Sequence, residues 1–166
     1  MSVSRMVPRS PRPAHFTSTG TLRGFSLENP PALFTHRKGE IMLRILLVSA
    51  RPETLRAFIE GLASDPDVRL EQAGTGKESL DAVRNAFPHL AIVDSKLPDT
   101  EPLSLVSKLI EVNAMVNTAV LSPLSEDEFH EASEGLGVLS ALPLMPGRRD
   151  ATELLRRLRD VLGFVG

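Results

Sequence analysis

The chain has 166 residues, of which 42% are hydrophobic, a formal net charge of −2 and no cysteine. This length suits one domain with an extension, and the composition is typical of a globular protein. The lack of cysteine excludes a disulfide framework, thiolate metal sites and cysteine nucleophiles. No apolar run approaches the roughly 18 residues of a membrane-spanning helix.

Residues 1–41 differ in composition from the rest of the chain. They contain six basic residues against two acidic ones and five of the 13 prolines, with no sustained periodicity. Such a segment is predicted to be disordered. Three explanations stay open: a basic, serine-rich targeting peptide, a basic interaction tail, or a start codon assigned too far upstream. Arg37-Lys38-Gly39-Glu40 is what a purine-rich ribosome-binding site would encode, and we expect the working protein to begin near Met42.

The folded domain is expected to comprise residues 42–166 and to begin with a strand, a helix and a strand. Residues 43–48 form an apolar run typical of a strand buried on both faces, and residues 68–73 read as a second strand. Between them, Pro52 stands at a first-turn position of a helix. Its apolar positions recur at helical spacing: Leu55, Phe58, Ile59 and Leu62. Asp65-Pro66-Asp67 ends that helix.

The next helix leads into a strand that ends on a carboxylate. Thr75 and Glu78 predict a capping box, and the helix is expected to bury Leu80, Val83 and Phe87 before Pro88 ends it. The apolar residues 90–93 then lead directly to Asp94, with Pro98 four residues later. In an open parallel sheet, ligands and chemistry gather at the carboxyl ends of the strands, where Asp94 stands.

The second half of the domain repeats the alternation. A helix is expected over 102–113 and strands over 117–121 and 138–142. Ser125 and Glu128 predict a capping box for a helix that stops near Gly135 or Gly137. Asp150 with Glu153 is expected to cap the last helix. The apolar face of this helix is formed by Leu154, Leu155, Leu158, Val161 and Leu162.

This alternation predicts an α/β fold, a flavodoxin-like (βα)5 doubly wound domain with a five-stranded parallel sheet in the order 2-1-3-4-5. The order places Asp94 beside the end of the first strand, which supplies Ser49 and Ala50 rather than acids. One carboxylate without acidic neighbours is a poor metal site. Two other sites are excluded by spacing: Gly74-Thr75-Gly76-Lys77 fits neither a P-loop nor a dinucleotide fingerprint, and the four histidines lack metal-ligand spacing.

Several stretches of residues 43–163 together resemble a CheY-like receiver domain of bacterial response regulators. They are Leu46-Leu47-Val48-Ser49-Ala50-Arg51-Pro52, Ala73-Gly74-Thr75-Gly76-Lys77-Glu78-Ser79-Leu80, Pro88-His89-Leu90-Ala91-Ile92-Val93-Asp94 with Pro98, Leu121-Ser122 and Met145-Pro146. The resemblance implies a cytoplasmic two-component, phosphorelay function. It implies that Asp94 is the phosphoacceptor for a histidine kinase and that Ser122 contacts the phosphoryl group. In that family two acids at the end of the first strand hold Mg²⁺, and a lysine before a cis-proline completes the site.

The chain departs from this pattern at the positions that would supply charge. Ser49 and Ala50 stand in place of the two acids, Met145 stands in place of the lysine, and aliphatic residues around Leu142 replace an expected aromatic residue. Phosphoryl transfer needs neutralisation of the phosphoryl oxygens, which the metal and the lysine would supply. We therefore expect Asp94 to be a weak phosphoacceptor or none, with no cofactor and weak Mg²⁺ binding only after phosphorylation.

The interpretation that follows is an atypical pseudo-receiver that acts by protein–protein interaction and is not an enzyme. Arg51 and Lys96 are expected to lie within reach of Asp94 and to pair with it. The partner, a histidine kinase or a separate output protein, is expected on the face that carries Leu142, Arg156 and Arg157, where a homodimer would also form. The acidic balance of residues 42–166 argues against direct binding of nucleic acid.

Two alternatives are kept beside this interpretation. The first is a conventional response regulator that is phosphorylated on Asp94 despite the missing acids. The second is a small enzyme that uses the same edge of the sheet, although the sequence offers neither an acid–base pair nor a cofactor motif for it.

Overall fold

Five parallel strands form one sheet in the order β2-β1-β3-β4-β5, so the predicted strand order and fold class are confirmed. This arrangement comes from a computed structural model that describes residues 41–164. The interpretation of residues 1–41 as a disordered extension concerns, apart from Ile41, residues outside those described. No helix within residues 41–164 is long and apolar enough to cross a membrane.

The helices alternate with the strands along the chain. The strands are β1 (Leu43–Val48), β2 (Val68–Ala73), β3 (Leu90–Val93), β4 (Asn117–Leu121) and β5 (Ser140–Leu142). The helices are α1 (Arg56–Ala63), α2 (Gly76–Ala86), α3 (Pro102–Val112), α4 (Glu126–Ala132) and α5 (Arg148–Leu162). A single 3-10 turn over Pro52–Leu55 precedes α1, so Pro52 opens the helical segment as predicted.

The sheet separates two hydrophobic cores because successive side chains of a strand point to opposite faces. On one face Leu43, Ile45 and Leu47 pack with the apolar residues of α1 and α5. On the other face Leu46 and Val48 pack with residues of α2, α3 and α4. Strands buried on both faces explain why the sequence shows continuous apolar runs rather than alternation.

The helices α1 and α5 approach each other closely at Gly61. A β-carbon at this position would lie 2.8 Å from Cβ of Ala151 and 3.0 Å from Cα of Arg148. A separation of 2.8 Å is shorter than real β-carbons show, so a hydrogen at position 61 is required for the observed distance between the two helices. The periodicity of α1 did not reveal this requirement.

The end of α2 differs from the prediction. Phe87 has a φ of 47° and a side chain that is 60% exposed, so it is the left-handed C-terminal residue of the helix and not part of the core. Pro88 explains this, because the residue before a proline is disfavoured in the right-handed helical region. At the other end Thr75 accepts a hydrogen bond from the Glu78 N–H as predicted, but the Glu78 carboxylate accepts from Gly74 and the capping box is not reciprocal.

The second half of the domain also required corrections. The capping box of Ser125 and Glu128 is confirmed. In α5, however, Gly147 is the N-cap and its N–H donates to Asp150 Oδ2 at 2.7 Å, so the helix begins earlier than predicted. Glu153 does not cap the helix, because it accepts hydrogen bonds from arginines farther along α5. Val161 is exposed rather than buried.

Candidate functional site

The carboxylate of Asp94 lies at the carboxyl edge of the sheet, directly after β3 and between β1 and β4. Its backbone N–H donates to the carbonyl of Val48 at 2.9 Å, which continues the β1–β3 ladder by one residue. Its side chain is fully buried, with 0% of its surface exposed. An ionised group in this environment is stable only when its oxygens are hydrogen-bonded and its charge is compensated.

Both carboxylate oxygens of Asp94 are bound by neighbouring donors. The guanidinium of Arg51 donates from Nε to Oδ2 at 3.0 Å and from Nη2 to Oδ1 at 2.9 Å, which is the bidentate geometry of a strong arginine–carboxylate pair. The Ser49 hydroxyl donates to Oδ2 at 2.7 Å, and the Ser95 N–H donates to Oδ1 at 2.6 Å. The expected ion pair with Arg51 is therefore present.

Ser49 connects the two charged groups. Its hydroxyl donates to Asp94 and also accepts the backbone N–H of Arg51 at 3.1 Å. This second bond fixes the first residues of the β1–α1 loop, from which the Arg51 side chain reaches back to the end of β3. Ser49 follows β1 and Asp94 follows β3, and the parallel pairing of these strands brings the two residues together.

The electrostatics of the pair favour the charged form of both groups. Burial by itself would raise the pKa of Asp94, but hydrogen bonds from Arg51 and Ser49, the charge of Arg51 and the Ser95 N–H outweigh it, and the pKa lies below its usual value. The pKa of Arg51 is raised, mainly by its hydrogen bond to Asp94. The site is therefore a preformed ion pair at neutral pH.

The residues at this edge do not fit a divalent cation such as Mg²⁺. An ionised carboxylate offers about four acceptor positions, and donors of Arg51, Ser49 and Ser95 take these positions on Asp94. Ala50 has no ligand atom in its side chain. Residues 41–164 contain no group of three or more histidine, cysteine or acidic side chains that could hold a metal.

The other residues of the predicted site form no hydrogen bond or ion pair with the Asp94 carboxylate, whose partners are Ser49, Arg51 and Ser95. The Ser122 hydroxyl follows β4 and accepts the N–H of Leu124 at 3.1 Å, within its own turn. Met145 is 63% exposed, and its peptide bond to Pro146 is trans, since residues 41–164 contain no cis peptide. Lys96 is exposed, and Asp94 pairs with Arg51 instead.

A second carboxylate fixes the loop that follows Asp94. Asp99 accepts the N–H of Gly76 at 2.8 Å and that of Lys77 at 3.0 Å, at the N-terminus of α2. These bonds lower the pKa of Asp99. A β-carbon on Gly76 would lie 2.6 Å from Cγ2 of Thr100, so the loop contacts the helix directly. Sequence reasoning missed Asp99, because no local pattern signals a cap supplied from more than twenty residues away. It also missed Ser95, which acts through its backbone N–H, a donor that every residue except proline carries.

The predicted partner face lies between α4, β5 and α5 and includes a groove of about 650 Å³. Leu142 is 6% exposed and belongs to the core shared with α1 and α5, but it also lines this groove, so the role of this face in binding a partner stays a prediction. The alternation of β5 turns Leu142 inward. Arg156 and Arg157 are exposed, and both donate to Glu153, which lowers the pKa of Glu153 to about 2.

No protein-family model matches the chain. A curated relative, protein-glutamate methylesterase/protein-glutamine glutaminase 1 of Methanospirillum hungatei JF-1, is 29% identical over 87 residues, or 52% of this chain. The chain spans only 25% of the length of that relative.

Several solved structures are similar over nearly their whole length. A CheY-like response regulator receiver domain protein of Methanospirillum hungatei JF-1 matches with a TM-score of 0.65 and 25% identity, over 75% of this chain and 99% of that one. The response regulator domain of Thermotoga maritima CheB matches with a TM-score of 0.61 and 19% identity, over 75% and 99%. Chemotaxis response regulator CheY4 of Vibrio cholerae matches with a TM-score of 0.62 and 17% identity, over 70% and 98%.

The described domain therefore resembles CheY-like response regulator receiver domains and has their flavodoxin-like fold. This is the resemblance that the sequence motifs predicted. The match extends over nearly the full length of these receiver domains, whereas it reaches a quarter of the methylesterase/glutaminase. The similarity supports a receiver domain of two-component signalling.

Proposed function

We propose that this chain is a pseudo-receiver: a signalling module that binds a protein partner without needing phosphorylation of Asp94. The observation that carries the proposal is the bidentate pair of Arg51 and Asp94, in which the carboxylate oxygens already accept four hydrogen bonds at 3.0 Å or less. A nucleophilic carboxylate needs a free lone pair, and this one has its acceptor positions filled.

The departures from the receiver pattern support the same proposal. The positions of the two acids are taken by Ser49 and Ala50, and Met145 at the position of the lysine is exposed and uncharged. These positions therefore supply no charge to balance a phosphoryl group on Asp94. The chain spans only 25% of the length of the curated relative, and the activity named for that relative is not part of the proposal.

The partner is proposed to dock on the face between α4, β5 and α5. This face combines a groove, in which Phe129 and Leu142 are buried, with charged walls, since α4 carries Glu126 and α5 carries Arg157. Groups of both signs beside an apolar floor fit a protein surface better than a nucleic acid. A histidine kinase or a separate output protein is the proposed partner. The cytoplasmic location of the chain itself stays a prediction.

The first experiment is a reaction of the full chain with acetyl phosphate and Mg²⁺, measured by intact mass. We expect no added phosphoryl group, while a conventional receiver domain treated in parallel gains one. The Asp94→Asn variant identifies the site if an adduct appears. An adduct that is lost in Asp94→Asn would contradict the proposal and establish the alternative, a conventional phosphoacceptor.

The second experiment tests the face. The wild-type chain and Asp94→Asn are expected to capture the protein partner equally well. Charge reversal of Arg156 and Arg157 to Glu is expected to abolish this capture. Arg84→Glu is the matched control, because Arg84 is an exposed arginine that pairs with an acid on its own helix, α2. Equal capture by all variants would remove this face from the proposal.

A further inference from the structure

The positive charge that balances the Asp94 carboxylate at the end of β3 comes from a side chain of the protein, that of Arg51. Arg51 extends from the β1–α1 loop, and its guanidinium lies 2.9 to 3.0 Å from both oxygens of a fully buried carboxylate. Without a counter-charge, an ionised carboxyl group at this depth would be strongly unfavourable. Arg51 thus performs the electrostatic task that a bound cation performs in many carboxylate sites.

The geometry leaves little opportunity for a cation from solution to replace the Arg51 guanidinium at the Asp94 carboxylate. The Arg51 side chain is 28% exposed, whereas the carboxylate is completely enclosed. Ser49 fixes the arginine through its backbone N–H and fixes the aspartate through Oδ2. A cation would have to displace the guanidinium from two hydrogen bonds at once, and it would then bring a second positive charge near Arg51.

We propose that Arg51 permanently occupies the cation position of this site, so that the domain does not respond to divalent ions. This inference rests on the proposed function and deepens it, because it assigns the insensitivity of the site to a single side chain. Arg51 is a positioning residue: it keeps the Asp94 carboxylate ionised, balances the charge of that carboxylate and occupies acceptor positions that a cation would need. Removal of its side chain frees one acceptor position on each carboxylate oxygen and opens a path from solvent.

The test is a titration of the ¹⁵N-labelled full chain with Mn²⁺, whose paramagnetism broadens the NMR signals of nearby amides. In the wild-type chain we expect no selective loss of the Ser49 and Ser95 amide signals at millimolar Mn²⁺. In Arg51→Ala we expect selective loss of both signals, and the further change Asp94→Asn is expected to abolish it. Arg84→Ala is the control for the loss of a surface arginine and is expected to behave as wild type.

Arg51→Gln provides a second variant if Arg51→Ala does not fold, since glutamine keeps much of the side-chain volume without the charge. Selective broadening of Ser49 and Ser95 in the wild-type chain would overturn the inference. So would its absence in a folded Arg51→Ala or Arg51→Gln chain, because another feature would then exclude the cation. The proposed function is tested separately by the phosphodonor reaction of the wild-type chain, so the two failures are distinguishable.

Discussion

The Nη2 atom of Arg51 lies 2.9 Å from Oδ1 of Asp94, and the two side chains differ sharply in exposure. The carboxylate is fully enclosed, whereas the arginine side chain is 28% exposed. A lone guanidinium here can turn toward water, but a lone carboxylate cannot. The two residues should therefore differ in the cost of losing their partner, and this asymmetry leads to the first prediction.

Arg51→Ala is expected to lower the free energy of unfolding by about 3 kcal/mol, because it leaves a buried carboxylate without a counter-charge. Asp94→Asn is expected to cost less, about 1 to 2 kcal/mol, since the arginine left behind is hydrated and the amide retains some hydrogen bonds. Urea unfolding of both variants and of the double variant measures the coupling. Additive losses would show that the pair contributes no interaction energy.

The lowered pKa of Asp94 predicts how stability depends on pH. Its folded pKa lies below the unfolded value of about 3.9, so the contribution of Asp94 is fully present above that value. It is lost as the pH falls through the folded pKa. The difference in unfolding free energy between the wild-type chain and Asp94→Asn should thus be constant near neutral pH and shrink below about pH 4. A constant difference at acidic pH would contradict the ion pair.

Thr118 offers a stabilising substitution. Its hydroxyl is buried in β4 and is the one fully buried side-chain polar atom without a hydrogen-bond partner among residues 41–164. An unsatisfied buried group costs about 1 kcal/mol or more. Thr118→Val is expected to raise the unfolding free energy by about this amount, measured by urea unfolding, whereas Thr118→Ala should lower it by loss of packing. A destabilised Thr118→Val would indicate that the hydroxyl has a partner in solution.

For Gly61→Ala we expect a change in stability opposite in sign to the one that helix propensity alone predicts. Glycine to alanine within a helix normally stabilises by roughly 1 kcal/mol. At position 61 the new methyl group would meet Ala151 at 2.8 Å. Gly61→Ala is therefore expected to lower stability by about 1 to 3 kcal/mol through overpacking. Adding Ala151→Gly should recover part of this loss in thermal or urea unfolding. No recovery would locate the clash at the Arg148 backbone.

Much of the fold was predictable because it depends on local patterns. The bounds of β1 and β4 match the predicted ranges 43–48 and 117–121, and Ser125 with Glu128 forms the predicted capping box. The errors fall at the ends of elements, where adjacent residues determine the backbone conformation and the hydrogen bonds. Phe87 leaves its helix because Pro88 follows, and Asp150 accepts the N–H of Gly147 instead of standing at the N-cap itself.

The sequence by itself determined the architecture and the composition of the site. Strand and helix periodicities dictate a parallel sheet, and parallel pairing brings Ser49 and Asp94 to one edge because strands that run the same way end on the same side. It also showed that Ser49, Ala50 and Met145 carry none of the charge that a receiver-type site uses.

The tertiary structure alone decided which cation Asp94 pairs with and whether its oxygens are free. Arg51 and Lys96 were equal candidates in the sequence, and only the arginine forms the fork across both oxygens. The contact of Asp99 with the N-terminus of α2 and the approach of α1 to α5 at Gly61 likewise depend on groups far apart in the chain. Periodicity reports which face of an element is buried, but distances between elements emerge only when all of them pack together.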